Sequence, residues 1–127
     1  MRGFLVLGSV NILLGLIISA SAAHGPFAVS GEAQSTLQTA TNLHMLHGLG
    51  LCVIGLSLAQ LPYLRTLWAA GLSILAGIVF FCGGIYVKTL LQITHLGWVV
   101  PWGGAALMLG WILFTTAWLR AGTVGIR

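Results

Sequence analysis

Read for polarity alone, the chain alternates between long apolar runs and short polar breaks. Runs near 3–23, 40–61, 67–87 and 98–119 each supply about the twenty apolar residues that a helix needs to cross a hydrocarbon core. None of them alternates residue by residue, as a membrane β-strand does over about ten positions, so the runs predict helices. The breaks predict a longer polar loop over 24–39, a tight turn over 62–66 and a loop over 88–97. The expected fold is all-α: an integral-membrane four-helix antiparallel bundle, formed as one domain over 1–127.

Composition narrows the class further. Only 5% of residues are charged, where a soluble domain devotes about a quarter, so the chain cannot cover a water-facing surface. Intrinsic disorder is excluded by the 58% of hydrophobic residues, since disordered chains are poor in them. The basic residues Arg2, Arg65, Lys88, Arg120 and Arg127 never form a run. That argues against a nucleic-acid partner and for the lipid bilayer. Four spans put both termini on one side, together with Arg2, Arg65, Arg120 and Arg127; Lys88 and Glu32 fall on the other. The bias predicts a multi-pass protein with cytoplasmic or matrix-facing termini. Trp68, Trp98, Trp102 and Trp118 fall near expected helix ends, where indole rings favour the headgroup region. The first run, ending in Ala20-Ser21-Ala22-Ala23, also has the look of a signal peptide. It is long enough to span and is expected to be retained.

The eighteen glycines would weaken soluble helices by about 1 kcal/mol each. Between membrane helices they instead permit close approach. Their three- and four-residue spacing marks inward packing faces that contain Gly15, Gly48, Gly55, Gly77, Gly84, Gly103 and Gly110. Asn11, deep in the first span, is read as an interhelical hydrogen-bonding residue ahead of a substrate contact. Cys52 and Cys82 form no CxxC pair and are read as buried small residues.

Topology gathers the chemically distinctive side chains at the end of the bundle opposite the termini: His24, His44, His47, Tyr86, Lys88, His95 and Pro101. His44 and His47 are three apart and share a helix face. A copper or zinc site from His24, His44 and His47 is one alternative. A haem would need His24 to pair with one of the other two, because its axial ligands approach from opposite sides. The favoured reading places these histidines at headgroup level, bonded to loop carbonyls or water, with the cofactor unknown. Glu32 is the one carboxylate, so paired acid–base chemistry is missing, as are a Gly-x-Ser-x-Gly elbow and a phosphate-binding Gly-Lys-Ser/Thr. No span carries the acidic residue that proton-coupled transport commonly uses.

Taken in order, Ala23-His24-Gly25, Leu43-His44-Met45-Leu46-His47, Phe81-Cys82-Gly83-Gly84-Ile85-Tyr86, Pro101-Trp102-Gly103-Gly104 and Gly110-Trp111 resemble the family catalogued as domain of unknown function 423. That family includes YgdD-like bacterial inner-membrane proteins and the animal transmembrane protein 256. The chain departs from the family pattern at Ser19-Ala20-Ser21-Ala22 and at Leu43-His44. The resemblance implies a small four-helix membrane protein and brings no reaction with it. The expected function is that of a non-enzymatic accessory or structural subunit, packing against other membrane protein subunits or against itself. A metal- or haem-binding subunit is the first alternative and a small transporter the second.

Overall fold

The computed structural model describes residues 1–25 and 28–124 of the 127-residue chain. It holds four long helices and, among the described residues, no strand. These are α1 (Arg2–His24), α2 (Glu32–Gln60), α3 (Arg65–Leu90) and α4 (Val99–Val124), the last preceded by a single 3₁₀ turn at Thr94–Leu96. All four are long and apolar enough to cross a membrane.

One expected boundary is corrected. Residues 32–39, read from their polarity as loop, are the first turns of α2, which starts at Glu32. Polarity marks where hydrocarbon ends, and a helix can continue into water. Gly31, with φ of 65°, supplies the left-handed turn that starts this helix. Ser35 Oγ then donates to the Glu32 carbonyl (3.0 Å) and Thr39 Oγ1 to the Ser35 carbonyl (3.1 Å), so the hydroxyls fold back onto their own helix. The Glu32 carboxylate sits in the first turn, where the helix dipole favours a negative charge.

The turn between α2 and α3 is as tight as expected: Leu61 N–H bonds the Ser57 carbonyl (2.9 Å) and Leu64 N–H the Leu61 carbonyl (3.2 Å). Inside α3 the residues Ile78–Cys82 widen into a π-helical turn, which the apolar pattern did not announce. Beyond Leu90 the chain reverses at Gln92, whose φ is 58°, a conformation more usual for Gly or Asn. The Gln92 side-chain amide donates to the Thr89 carbonyl (2.9 Å) and so caps a helix end that has no glycine.

α1 packs along α2, α2 against α3 and α3 against α4. Of the most apolar stretch of each helix, 50% is buried in α2 and 39% in α3, against 17% in both α1 and α4. The middle two helices therefore form the centre, and the outer two cover its flanks. The core runs through Leu51, Ile54 and Leu58 of α2, Leu67, Ala70 and Ile74 of α3, and Leu107 and Ala117 of α4. Outward stand Leu13, Leu16 and Ile17 of α1, Leu49 and Leu56 of α2, Leu72 and Val79 of α3, and Met108, Ile112 and Leu119 of α4. A water-soluble monomer rarely exposes so continuous an apolar surface; hydrocarbon accepts it.

Lipid tails provide no hydrophobic drive between helices, so close packing has to hold them. At the α1–α2 seam a Cβ on Gly8 would lie 2.5 Å from the Gly48 carbonyl oxygen, and one on Gly48 would lie 3.1 Å from the backbone nitrogen of Ile12. The two backbones touch. Along this seam Gly15 faces Met45 and Gly55 faces Leu5. Between α3 and α4, Gly77 lies against Leu107, Gly84 against Val100, Gly110 against Ile74 and Gly103 against the backbone of Phe80 and Phe81. Ser73 Oγ also donates across this seam to the Ala106 carbonyl (2.7 Å).

Candidate functional site

Three helices converge on one imidazole. His44, on α2 and 5% exposed, points Nε2 at Asn11 Oδ1 of α1 (2.9 Å) and Nδ1 at Tyr86 Oη of α3 (3.0 Å). The Asn11 amide nitrogen donates to the Leu7 carbonyl one turn earlier (2.7 Å). That bond fixes the amide orientation and, through it, every proton in the chain. A carbonyl only accepts, so Asn11 must offer Nδ2 to Leu7 and Oδ1 to His44. Oδ1 in turn only accepts, so His44 Nε2 carries hydrogen. In the neutral ring Nδ1 then holds the lone pair, and the Tyr86 hydroxyl donates to it. The result is one directed run: Tyr86 O–H to His44, His44 N–H to Asn11, Asn11 N–H to Leu7.

Local structure delivers these side chains. Asn11 sits on the Gly8–Gly15 face of α1, which approaches α2 closely enough that a Cβ on Gly15 would be 3.7 Å from His44 Cγ. Tyr86 lies just after the π-helical turn of α3. The extra residue of such a turn rotates the rest of the helix relative to a regular one, and the rotated end carries Tyr86 to His44. Gly103 supports the same turn from α4.

His47, one turn further along α2 and also buried, takes the opposite tautomer. Its Nδ1 lies 2.7 Å from the Leu43 carbonyl, so Nδ1 carries hydrogen and, in the neutral ring, Nε2 keeps a lone pair. The ring lies 6.1 Å from the Trp111 ring of α4, which in turn meets Phe114 edge-on at 5.9 Å.

The remaining expected site residues lie apart from this interior chain. His24 is exposed at the end of α1, and His95 is exposed in the 3₁₀ turn. Lys88 and Pro101 are exposed and line an outer cleft. Among the described residues no group of three His, Cys, Asp or Glu side chains is placed to hold an ion. Both nitrogens of His44 are engaged within the bundle, and His24 stands in the open at a helix end. In the interior His47 keeps one available nitrogen, one ligand where zinc takes about four. Cys82 is buried and Cys52 half-buried, and both are free thiols.

Sequence reading identified Asn11 as an interhelical residue but not its partner. A polar residue in each of three spans is the signal that was available; the pairing needs the helix rotations. The Trp111 ring beside His47, and the cleft that Glu32 and Thr36 line together with Lys88, have no signal in the spacing.

A bundle that turns apolar side chains outward on all four helices, and joins three of them inside through Asn11, His44 and Tyr86, is a multi-pass membrane protein. The chain belongs to the DUF423 family: the family model described as protein of unknown function (DUF423) matches residues 18–104. The UPF0382 membrane protein YwdK of Bacillus subtilis is 34% identical over 118 residues, covering 92% of this chain and 96% of its own length. A UPF0382 membrane protein of Staphylococcus aureus is 36% identical over 118 residues, covering 92% and 95%. Another from Staphylococcus epidermidis is 36% identical over 121 residues, covering 94% and 98%. No solved structure matches the chain.

Proposed function

We propose that this protein is a non-catalytic accessory or structural subunit of a bacterial inner membrane, packing against a larger membrane complex or a second copy of itself, with its termini facing the cytoplasm. The observation that carries this reading is how the interior is used. Asn11, His44 and Tyr86 bond one another, Ser73 bonds across the α3–α4 seam, and Ser57 and Thr116 bond their own helices. The acid–base contact among them, Tyr86 O–H to His44 Nδ1, is committed to the packing: His44 is buried and its other ring nitrogen is held by Asn11. The large surfaces left over are the outward faces of α1 and α4, the two helices least covered by their own chain. The orientation rests on Arg2, Arg65 and Arg120, which lie towards the end of the bundle opposite Lys88. Neither the metal-binding nor the transport alternative gains support from the site geometry.

Photo-crosslinking groups at Leu13 of α1 and Ile112 of α4, both exposed, test the reading in native membranes. A discrete protein adduct from either position is the expected result, its mass distinguishing a second copy from another subunit. Lipid adducts alone at both positions would overturn it.

A further inference from the structure

The outer end of the bundle holds a cleft of about 470 Å³, within the roughly 300–1,000 Å³ of small-ligand sites. It opens between the first turns of α2, the last turns of α3 and the start of α4. Two of its walls carry opposite charges: Glu32, the chain's one carboxylate, and Lys88, its one lysine. Among the described residues neither makes an ion pair. The Lys88 stem turns into the cleft, its Cδ passing 3.9 Å from where a Cβ on Gly97 would stand. Thr36, Thr89 and Thr94 also line the cleft, and Ile85, Val100 and Pro101 supply apolar wall.

The depth of the cleft is marked independently. Trp98 and Trp102, flanking the Val100 and Pro101 wall, are 67% and 70% exposed. Bare indole rings at the start of a membrane helix belong at the headgroup layer. The cleft therefore opens where phospholipid headgroups lie, with its apolar wall continuous with the lipid-facing side of the bundle.

We infer that this cleft binds a zwitterion made of a phosphate and a primary ammonium, the headgroup of phosphatidylethanolamine. Lys88 and the threonine hydroxyls receive the phosphate, Glu32 receives the ammonium, and the apolar wall receives the glycerol end of the acyl chains. A purely anionic headgroup would lack a counterpart for Glu32 and meet its negative charge. A choline headgroup has no N–H to offer a carboxylate, and quaternary ammonium groups are held by aromatic cages. No aromatic side chain is among the described residues lining the cleft.

The test is native mass spectrometry of the full chain released from nanodiscs holding equal parts phosphatidylethanolamine, phosphatidylglycerol and phosphatidylcholine. The ethanolamine lipid is expected to be retained about fivefold over each of the others, the scale of one exposed ion pair. Glu32→Gln should bring the ethanolamine-to-glycerol ratio near unity, and Lys88→Gln should weaken retention of both while Lys88→Arg preserves it. Glu32 and Lys88 are exposed, and unchanged helicity by circular dichroism would show that the variants fold. No preference in the parent protein, or a preference untouched by Glu32→Gln, would overturn the inference. Displacement of the lipid by an equal concentration of free phosphoethanolamine would overturn its assignment to a membrane source.

Discussion

Replacing Asn11 with Ala removes the acceptor for His44 Nε2–H and leaves a donor buried in a ring that is 5% exposed. An unsatisfied buried donor costs about 1–3 kcal/mol in water-soluble proteins. Between membrane helices the measured coupling of such bonds averages about 0.6 and reaches about 1.7 kcal/mol, because the separated helices find other partners. The Asn11–His44 bond should lie near the upper figure. His44 is held at both nitrogens, and Asn11 is held by Leu7, so little freedom is lost when the bond forms. Alanine also favours helix over asparagine by about 0.7 kcal/mol at most, which would mask part of the loss in a single variant. A double-mutant cycle of Asn11→Ala and His44→Ala cancels that term and should return a coupling of about 1–1.7 kcal/mol. The assay is reversible unfolding in mixed detergent micelles, followed by far-UV circular dichroism. In parallel, ¹⁵N spectra of labelled protein should report His44 protonated at Nε2 and His47 at Nδ1. A coupling below about 0.3 kcal/mol, the scatter expected of independent sites, or a His44 ring protonated at Nδ1 alone, would refute the directed chain.

Further outcomes rest on the packing and the topology. Gly103→Ala drives a Cβ into the Phe80–Phe81 backbone, whereas a Cβ on neighbouring Gly104 finds Phe81 Cδ2 at an ordinary 3.5 Å. The first substitution should therefore cost about 1–3 kcal/mol and the second be neutral or stabilising in the same unfolding assay. Gly8→Ala should loosen α1 from α2, seen as faster amide hydrogen exchange in α1, while Gly3→Ala, with open space around it, should leave exchange unchanged. In a variant lacking Cys52 and Cys82, a cysteine at His24 should react with an impermeant maleimide added outside intact cells. A cysteine at Arg65 should react only after lysis; the reverse pattern would invert the proposed orientation. His47→Ala should leave the metal content of protein purified from its own membranes unchanged by elemental analysis, since one free imidazole nitrogen is too few ligands to hold an ion.

Sequence and tertiary structure divide the properties of this molecule along a physical line. Four spans, their order and their apolar outward faces are determined by the residues alone, because twenty consecutive apolar residues have few other places to go. Glycine spacing likewise marks the faces where helices meet, since only small residues let two backbones approach as Gly8 and Gly48 do. Polarity reports the edge of the hydrocarbon, so it marks the spans well but not the start of α2, which runs past that edge to Glu32. The tertiary structure decided how the helices are rotated about their axes. A one-residue change in helical phase moves a side chain by about 100° (360° over 3.6 residues), and the π-helical turn at Ile78–Cys82 makes such a change inside α3. That rotation brings Tyr86 onto His44, and the close α1–α2 contact brings Asn11 to the other side of the ring. The histidines looked from their spacing like a set gathered at the outer end. In the fold they part company: His44 and His47 are built into the interior, and His24 and His95 stand outside.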